Sequence, residues 1–327
     1  MPSPLKFFAT HRPIARVYDI IGDIHGHASA LRELLERLGY RRVDKQWYHP
    51  EGRTLVFVGD IIDRGPEIRT AVEMVRSLER SGTARVVMGN HEYNALCWHT
   101  LDDQGRPLRA HNAVHRQQHA ATLAAFQGRD DAMQDLLDWI AGLPLFMELD
   151  ELRVVHAAWD DSAVDELRER PSPCRDRRFL VRSSTAGYRE SDIVETLLKG
   201  VEVPLPPGAV YHDKEGVPRY RTRTRWWVRT SRARVPLSEI AMPPADRELG
   251  ERLIAAERLA HLPGYSDHRP VFFGHYWLSG SPAPLADRVA CLDYSVARGG
   301  QLCAYRWDGE LPLSAAQFTC VPAGLRP

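Results

Sequence analysis

Four short polar clusters each follow an apolar stretch of the chain, and in each a glycine stands next to a carboxylate, an imidazole or an amide. They are GDIHG at 22–26, GDIIDRG at 59–65, GNHE at 89–92 and GH at 274–275, and VHAAW adds a further histidine. The candidate ligands are Asp23, His25, Asp60, Asn90, His156 and His275. Carboxylate, imidazole and amide oxygen suit borderline transition metals, and six candidates fit two ions better than one. Asp60 is the natural bridge, because a carboxylate has two oxygens.

These clusters need a scaffold that brings them together, and the apolar pattern around them predicts one. Short apolar strands alternate with stretches of helical spacing at about 28–38 and 67–78. This alternation is typical of an α/β fold with parallel strands, in which the carboxyl ends of the strands form the binding edge. We expect mostly helix over about 100–142, then a hairpin around Asp150. RVACLDY and QLCAYRW are expected to pair as final strands.

The order and spacing of the clusters resemble the calcineurin-like metallophosphoesterase superfamily, near its serine/threonine protein phosphatases and symmetrical dinucleoside tetraphosphatases. The resemblance covers residues 22–275 and implies a four-layer αββα sandwich of mixed sheets, and the polar, Arg- and Pro-rich composition of about 160–265 indicates an inserted cap. It assigns the first metal to Asp23, His25 and Asp60, and the second to Asp60, Asn90, His156 and His275. We expect two divalent ions, manganese first, with iron or zinc as alternatives.

The same resemblance implies a hydrolase that acts on phosphate esters, in which a metal-bridging hydroxide attacks phosphorus. His91 would be the general acid, Asp63 would orient its imidazole, and Arg64 would hold phosphate oxygens with its planar fork of donors. A phosphomonoester carried by a phosphoprotein, a nucleotide or a small phosphoester is the leading substrate. The alternative is a symmetrical dinucleoside tetraphosphate.

Two features depart from the protein phosphatases. The histidine at 156 is followed by Ala157, Ala158 and Trp159 instead of the usual glycines. A second phosphate-binding arginine, expected beyond that histidine in protein phosphatases, has no assignable position.

An Arg/Trp-rich stretch at 219–234 allows three interpretations. It contains Arg221, Arg223, Arg225, Trp226 and Trp227. Arg223 and Arg225 are candidate substrate contacts. Alternatively, the stretch is a nucleic-acid-binding module that uses charge and stacking, an interpretation we do not favour. The favoured interpretation is that the tryptophans pack an inserted cap onto the main domain while the arginines are solvated or paired.

Composition sets the broad class of the protein. The chain has 327 residues with a formal net charge of zero, so charge alone indicates no partner. No apolar run approaches the roughly 18 residues that a membrane span needs, and the N-terminus does not resemble a signal peptide. Five cysteines without a CxxC motif fit reduced thiols, so we expect a cytoplasmic protein. We expect one catalytic domain over 1–327, with a cap-like insertion at about 160–265.

Other polar residues are expected to play no part in the chemistry. His99, His111, His115 and His119 lie in a predicted helical region and should be solvated. Asp293 lies in a predicted strand near the end of the chain, where a structural role in packing is expected.

Overall fold

A computed structural model of the chain describes residues 17–44, 46–212, 218–242, 247–260 and 262–324. Its strands are β1 (Tyr18–Ile21), β2 (Arg41–Val43), β3 (Gln46–Tyr48), β4 (Thr54–Phe57), β5 (Ala84–Val86), β6 (Phe146–Glu148), β7 (Arg153–Val155), β8 (Glu202–Pro204), β9 (Tyr211–His212), β10 (Pro218–Arg219), β11 (Arg221–Arg223), β12 (Arg234–Pro236), β13 (Leu253–Ala255), β14 (Val271–Phe273), β15 (Val289–Cys291), β16 (Asp293–Tyr294), β17 (Gln301–Trp307) and β18 (Phe318–Pro322). Its α-helices are α1 (Ala28–Arg37), α2 (Ile68–Arg80), α3 (Asn90–His99), α4 (Ala113–Ala125), α5 (Asp130–Ala141), α6 (Asp161–Leu167), α7 (Arg177–Ser183), α8 (Arg189–Lys199), α9 (Leu237–Ile240) and α10 (Arg247–Gly250). Short 3₁₀ helices span Pro173–Arg175, Ala256–Leu259, Val296–Arg298 and Ala315–Gln317. The N-terminal segment, for which we expected no signal peptide, lies outside the described residues.

Two mixed sheets form the centre of the fold. The first has the strand order β16-β17-β1-β4-β5, with β18 also paired to β17. Within it β1, β4 and β5 are parallel, as predicted, and β17 runs antiparallel to β1. The second sheet has the order β15-β14-β7-β6, in which β14 is parallel to both β7 and β15. Strands β6 and β7 form the predicted hairpin around Asp150.

Alternating side chains place apolar residues on both faces of each sheet. Ile20 and Val56 of the first sheet share a buried cluster with Val154 and Phe272 of the second, so the two sheets pack face to face. The outer faces join a further apolar cluster that contains the buried sides of α1, α2 and of α6 to α8. The predicted four-layer αββα arrangement of mixed sheets is therefore confirmed.

Near the end of the chain the structure departs from the predicted strand pairing. RVACLDY divides into β15, which lies in the second sheet, and β16, which pairs antiparallel with β17 in the first. Strand β18 follows β17 and was not predicted. Its register places Cys320 opposite Cys303, and the two form a disulfide. The expectation that all the cysteines are reduced is therefore wrong, because the pairing depends on a strand that the sequence pattern did not reveal.

The range of the predicted insertion contains two kinds of structure. Helices α6 to α8 share the main apolar cluster, whereas β8 to β13 form three two-stranded ribbons with an apolar cluster of their own. Trp226 is fully buried and Trp227 is nearly so, and their rings lie 5.4 and 5.7 Å from the ring of Phe273 in β14. These contacts confirm that the two tryptophans pack this stretch onto the main fold. A single domain with a cap-like insertion remains our prediction.

No helix in the described part of the chain is both long enough and apolar enough to span a membrane. The cytoplasmic location remains a prediction.

A buried network of charges joins three neighbouring strands of the first sheet. The carboxylate of Asp19 in β1 accepts hydrogen bonds from Tyr40 Oη, Arg53 Nε and Arg306 Nε, each at 3.0 Å. The guanidinium of Arg53 also donates to the carbonyls of Tyr18 and Trp307 at 2.8 and 3.2 Å. Because Asp19 is wholly buried, these cations replace the water that its charge would otherwise bind.

We predict that Asp19→Ala lowers the free energy of unfolding by about 3–5 kcal/mol, since it leaves the buried Arg53 with only the exposed Asp308 as a counter-ion. Urea denaturation followed by circular dichroism measures the change. Glu33→Ala is the matched control, because Glu33 pairs with Arg37 on the exposed surface of α1. That pair should contribute less than about 1 kcal/mol. Equal losses in the two variants would contradict the prediction.

Candidate metal centre

Most of the predicted ligands lie in loops that leave the carboxyl ends of the central strands, and Asn90 and His91 are the first two residues of α3. Five of the predicted site residues have left-handed backbones with φ between 45° and 72°: His25, Asp60, Asp63, Arg64 and His275. Such conformations cost on the order of 1–3 kcal/mol each and persist only where the surroundings enforce them. The loops are therefore held in shapes that short polar turns would not adopt by themselves.

One group of potential ligands contains His25, Asp60 and His91, whose ligand atoms all lie within 4.8 Å of one another. Nδ1 of His25 donates to the carbonyl of Ile62 at 3.0 Å. That bond fixes the tautomer, so the unprotonated Nε2 is directed towards the Asp60 carboxylate, 3.6 Å away. His91, predicted as a general acid, is thus itself a member of this first group.

A second group contains Asp60, His156 and His275, again with ligand atoms within 4.8 Å. Nδ1 of His156 donates to the carbonyl of Val58 at 2.8 Å, and its Nε2 lies 3.4 Å from Asp60 Oδ2. The amide oxygen of Asn90 is 3.0 Å from His156 Nε2 and 2.7 Å from His275 Nδ1. Asp60 is the carboxylate that both groups share.

Asp23 joins this arrangement through the backbone, since it accepts a hydrogen bond from His275 N at 3.1 Å. Glycines make this close approach possible. A Cβ on Gly274 would lie 1.9 Å from Asp23 Oδ1, and one on Gly89 would lie 2.3 Å from Asp60 Oδ1. The structure therefore brings together all six residues that the sequence suggested as ligands, and the glycines beside them leave room for the carboxylates.

The protonation and bonding of these residues fit divalent cations. Nε2 of His25 and Nε2 of His275 are buried and form no hydrogen bond with any described residue. Burial lowers the pKa of His25 to about 3, so its imidazole is neutral and carries a lone pair. Burial, with the neighbouring charges of Asp293 and Asp60, raises the pKa of Asp23 well above its ordinary value. Bound cations would offset the repulsion between these crowded, buried carboxylates, and the neutral imidazoles can act as their ligands.

Glu92 holds the loop that carries Asp60, a role the sequence reasoning did not assign. Its two carboxylate oxygens accept hydrogen bonds from four backbone amides, those of Gly89, Asp60, Ile61 and Ile62, at 2.8 to 3.1 Å. Glu92 comes after β5, and it therefore fixes the shape of the GDIIDRG loop, which follows the neighbouring strand β4.

Asp63 is buried between two histidines. Its carboxylate accepts hydrogen bonds from His91 Nδ1 at 2.6 Å, His119 Nδ1 at 2.8 Å and Thr122 Oγ1 at 2.6 Å. Burial raises the pKa of Asp63, but the hydrogen bonds from His119 and His91 outweigh it and hold that pKa well below its usual range. For His91, burial lowers the pKa, whereas the charge of Asp60 and the bond to Asp63 raise it above its ordinary value.

The expectation that His119 is solvated is wrong. It is 5% exposed and packs with Thr122, one turn further along α4, against the Asp63 loop. Their i, i+3 spacing is the signal that places both on one helix face. His99 and His111 are exposed, as expected, and His115 is partly buried.

The predicted arginines lie in different places. Arg64 is exposed, and its guanidinium carbon lies 4.6 Å from the centre of the Trp277 ring. Arg223 is partly buried in β11. Burial, followed by the nearby positive charge of Arg223, holds the pKa of His275 well below its ordinary value. Arg223 therefore borders the second ligand group.

Arg225, two residues further along the chain, is also partly buried and lies near Glu239, whose pKa it lowers after the larger effect of Arg232. Because Trp226 and Trp227 are buried, their rings offer no stacking face to a nucleic acid. The stacking of bases on these two tryptophans, which the nucleic-acid interpretation requires, is therefore excluded.

Comparisons with known proteins agree with this geometry. Residues 18–181 match the model of the calcineurin-like phosphoesterase family. The symmetrical bis(5'-nucleosyl)-tetraphosphatase of Vibrio parahaemolyticus is 26% identical over 303 residues, which cover 89% of this chain and 95% of that protein. The asymmetrical bis(5'-nucleosyl)-tetraphosphatase PrpE of Halalkalibacterium halodurans is 45% identical over 74 residues, which cover 23% of this chain and only 30% of that relative's length.

A solved protein serine/threonine phosphatase from Saccharomyces cerevisiae shares the fold, with a TM-score of 0.50 at 13% identity. The match covers 97% of this chain and 83% of that one. The family match includes four of the five polar clusters and spans half of the sequence. The chain belongs to the calcineurin-like phosphoesterase family.

Proposed function

We propose that the protein is a metal-dependent phosphoesterase, a hydrolase that binds two divalent cations and cleaves phosphate esters. The observation that carries this proposal is the sharing of Asp60. Its carboxylate belongs to two groups of buried ligand atoms, each within 4.8 Å, one with His25 and His91 and the other with His156 and His275. A carboxylate shared in this way suits a pair of ions better than one.

The ligand assignment in the proposal follows the predicted one. Asp23, His25 and Asp60 would hold one ion, and Asp60, Asn90, His156 and His275 the other. Manganese is our first expectation, with iron and zinc as alternatives. Two bound cations would offset the buried carboxylates, activate water for attack on phosphorus and hold the phosphate oxygens.

His91 is the proposed general acid. Its Nδ1 bonds to Asp63, so Nε2 is the nitrogen that can give a proton to a leaving oxygen. The raised pKa of His91 keeps that proton in place near neutral pH. His119 and Thr122 fix the Asp63 carboxylate, and Asp63 in turn orients His91. The exposed fork of Arg64 would bind the oxygens of the phosphate.

Two substrate classes fit this site. The sequence reasoning put a phosphomonoester first and a symmetrical dinucleoside tetraphosphate second. One observation favours the second class. The match to the symmetrical bis(5'-nucleosyl)-tetraphosphatase of Vibrio parahaemolyticus covers 89% of this chain and 95% of that protein. We therefore propose a dinucleoside tetraphosphate, with phosphomonoesters as the competing class.

We predict that chelator-stripped protein reloaded with Mn²⁺ binds two equivalents per chain and hydrolyses p-nitrophenyl phosphate. Asp60→Asn should bind fewer than two and lose activity, because the shared ligand loses its charge. Elemental analysis after desalting measures the metal. Asp103→Asn, a change at an exposed aspartate, is the matched control and should behave as wild type. Wild type that takes up no metal would sink the proposal.

We predict that His91→Ala lowers kcat by about 10²- to 10⁴-fold on an alkyl phosphate, whose poor leaving group needs a proton. The loss should be much smaller on p-nitrophenyl phosphate, and metal content should stay unchanged. Steady-state kinetics on both substrates make the comparison. His268→Ala, at an exposed histidine in the loop before β14, is the control. Equal losses on the two substrates would rule out the general-acid role.

We predict that metal-loaded protein cleaves bis(5'-adenosyl) tetraphosphate into two molecules of ADP, with a higher kcat/KM than for any phosphomonoester tested. Chromatography of the reaction mixture identifies the products. ATP with AMP would indicate asymmetrical cleavage. A preference for monoesters, with release of inorganic phosphate, would return the phosphomonoester to first place.

A further inference from the structure

The loop that carries His275 is held on both sides by buried aspartates. It follows β14, and on one side His275 N donates to Asp23 Oδ2 at 3.1 Å. On the other side Trp277 N donates to Asp293 Oδ2 at 2.7 Å, and Leu278 N donates to the backbone carbonyl of Asp293 at 2.9 Å. Three amides of this short loop therefore bond to two aspartates, of which only Asp23 is a proposed ligand.

Asp293 lies where the chain passes from the second sheet to the first. It is the first residue of β16, which pairs with β17, and it follows β15 by two residues. Its side chain is 2% exposed, and Oδ1 accepts a hydrogen bond from Ser295 N at 2.9 Å. Ser295 Oγ in turn donates to the carbonyl of Leu278 at 2.9 Å. Asp293 and Ser295 together fasten the His275 loop to the first sheet.

These bonds hold the loop in a conformation that it would not adopt by itself. His275 and Trp277 are left-handed, with φ of 72° and 54°, and non-glycine residues keep such a backbone only where their surroundings enforce it. The imidazole is thereby directed inwards. Nδ1 of His275 lies 2.7 Å from Asn90 Oδ1, and its buried Nε2 has no hydrogen-bond partner among the described residues. Asp293 therefore acts on the orientation of this imidazole through the backbone.

Ring contacts of Trp277 add to the fixation of the loop. The guanidinium carbons of Arg64 and Arg298 each lie 4.6 Å from the centre of its ring. Arg298 ends the short 3₁₀ helix that begins directly after Ser295. The segment that follows Asp293 thus meets the His275 loop through side chains as well as through hydrogen bonds.

The charge of Asp293 also reaches Asp23, a proposed ligand of the first ion. After burial, it is the largest cause that raises the pKa of Asp23. This influence acts through space on a single carboxylate, whereas hydrogen bonds set the position of His275. We therefore expect the larger effect of Asp293 at the ion that His275 would bind.

We propose that Asp293 is the positioning residue of the second metal ion, the one that the proposed function assigns to His275. It holds the loop so that the imidazole meets the same cation as the other ligands of that ion. This inference rests on the proposed function and gives a role to a residue that we expected only to pack. Loss of the carboxylate weakens binding of this ion more than binding of the ion at His25.

The test measures the affinity of each ion separately. Isothermal titration of chelator-stripped protein with Mn²⁺ resolves two binding events, and His275→Ala and His25→Ala identify which event belongs to which ion. In Asp293→Asn the affinity at the His275 ion should fall about tenfold or more, the size typical of changes around metal ligands. The affinity at the other ion should fall less than about threefold, since only a through-space charge is lost there.

Asp19→Asn is the matched control. Asp19 is an equally buried carboxylate of the same sheet, and its bonds go to Tyr40, Arg53 and Arg306. Its substitution should lower the stability of the fold but leave both metal affinities as in wild type. The comparison separates a positioning role of Asp293 from a general loss of packing.

Hydrogen exchange of metal-free protein, read by mass spectrometry, follows the loop without any ion. The amides of Trp277 and Leu278 should exchange faster in Asp293→Asn than in wild type. Ser295→Ala removes only the Oγ bond to Leu278. It should change the exchange and the affinity in the same direction by a smaller factor, and it decides the question where Asp293→Asn does not fold.

Several outcomes would overturn the inference. These are unchanged affinity at the His275 ion in Asp293→Asn, an equal loss at both ions, or the same loss in Asp19→Asn. With Asp293→Asn unfolded, wild-type exchange and affinity in Ser295→Ala would do so. The proposed function fails separately, when protein with two bound ions hydrolyses none of the esters. Because calorimetry and exchange do not depend on turnover, the two failures are distinguishable.

Discussion

The constraint on which this structure depends is the burial of several carboxylates at one edge of two packed sheets. Asp23, Asp60, Glu92 and Asp293 are all at most 2% exposed. Backbone amides partly compensate their charges: Glu92 accepts four amide hydrogen bonds, Asp293 accepts two, and Asp60 accepts one from His91 N. To direct these amides inwards the loops adopt left-handed conformations. The potential ligands are thus held in place by the protein itself, which is the preorganisation that a metal-dependent hydrolase needs.

Residues outside the predicted ligand and catalytic set fix the loops that carry it. Glu92 shapes the loop of Asp60, Asp293 positions Trp277, and His119 holds Asp63. In the last case two hydrogen bonds from imidazoles keep the Asp63 carboxylate charged in spite of its burial. This charged partner on Nδ1 helps to raise the pKa of His91, after the larger effect of the Asp60 charge. The acid–base properties of the proposed general acid therefore depend on α4, a helix that contains none of the predicted ligands.

The sequence predicted most of the central fold and all six residues that the structure brings together as potential ligands. Those predictions rested on local patterns, since each cluster follows its own apolar strand. The failures all involve contacts between distant segments. His119 lies 56 residues from Asp63 and looks, on its own helix, like any solvated histidine. The Cys303–Cys320 disulfide depends on the register of β18, and the place of Arg298 depends on the buried bonds of Asp293. Periodicity carries no information about such pairings.

Burial decides which of the Arg/Trp combinations can recognise a substrate. In the two-stranded ribbons β8 to β13 the sequence places arginines beside Trp226 and Trp227, but both of these rings are buried against Phe273. Trp277 has no arginine next to it in the sequence. Its ring is partly exposed and lies beside the guanidinium groups of two arginines from distant segments. A buried ring can stabilise the fold but cannot present a guanidinium to a ligand, whereas a partly exposed ring can orient a guanidinium at the surface. Substrate selection is therefore expected to reside in the loops next to the metal ligands, and the Arg/Trp-rich stretch is expected to contribute mainly through Arg223.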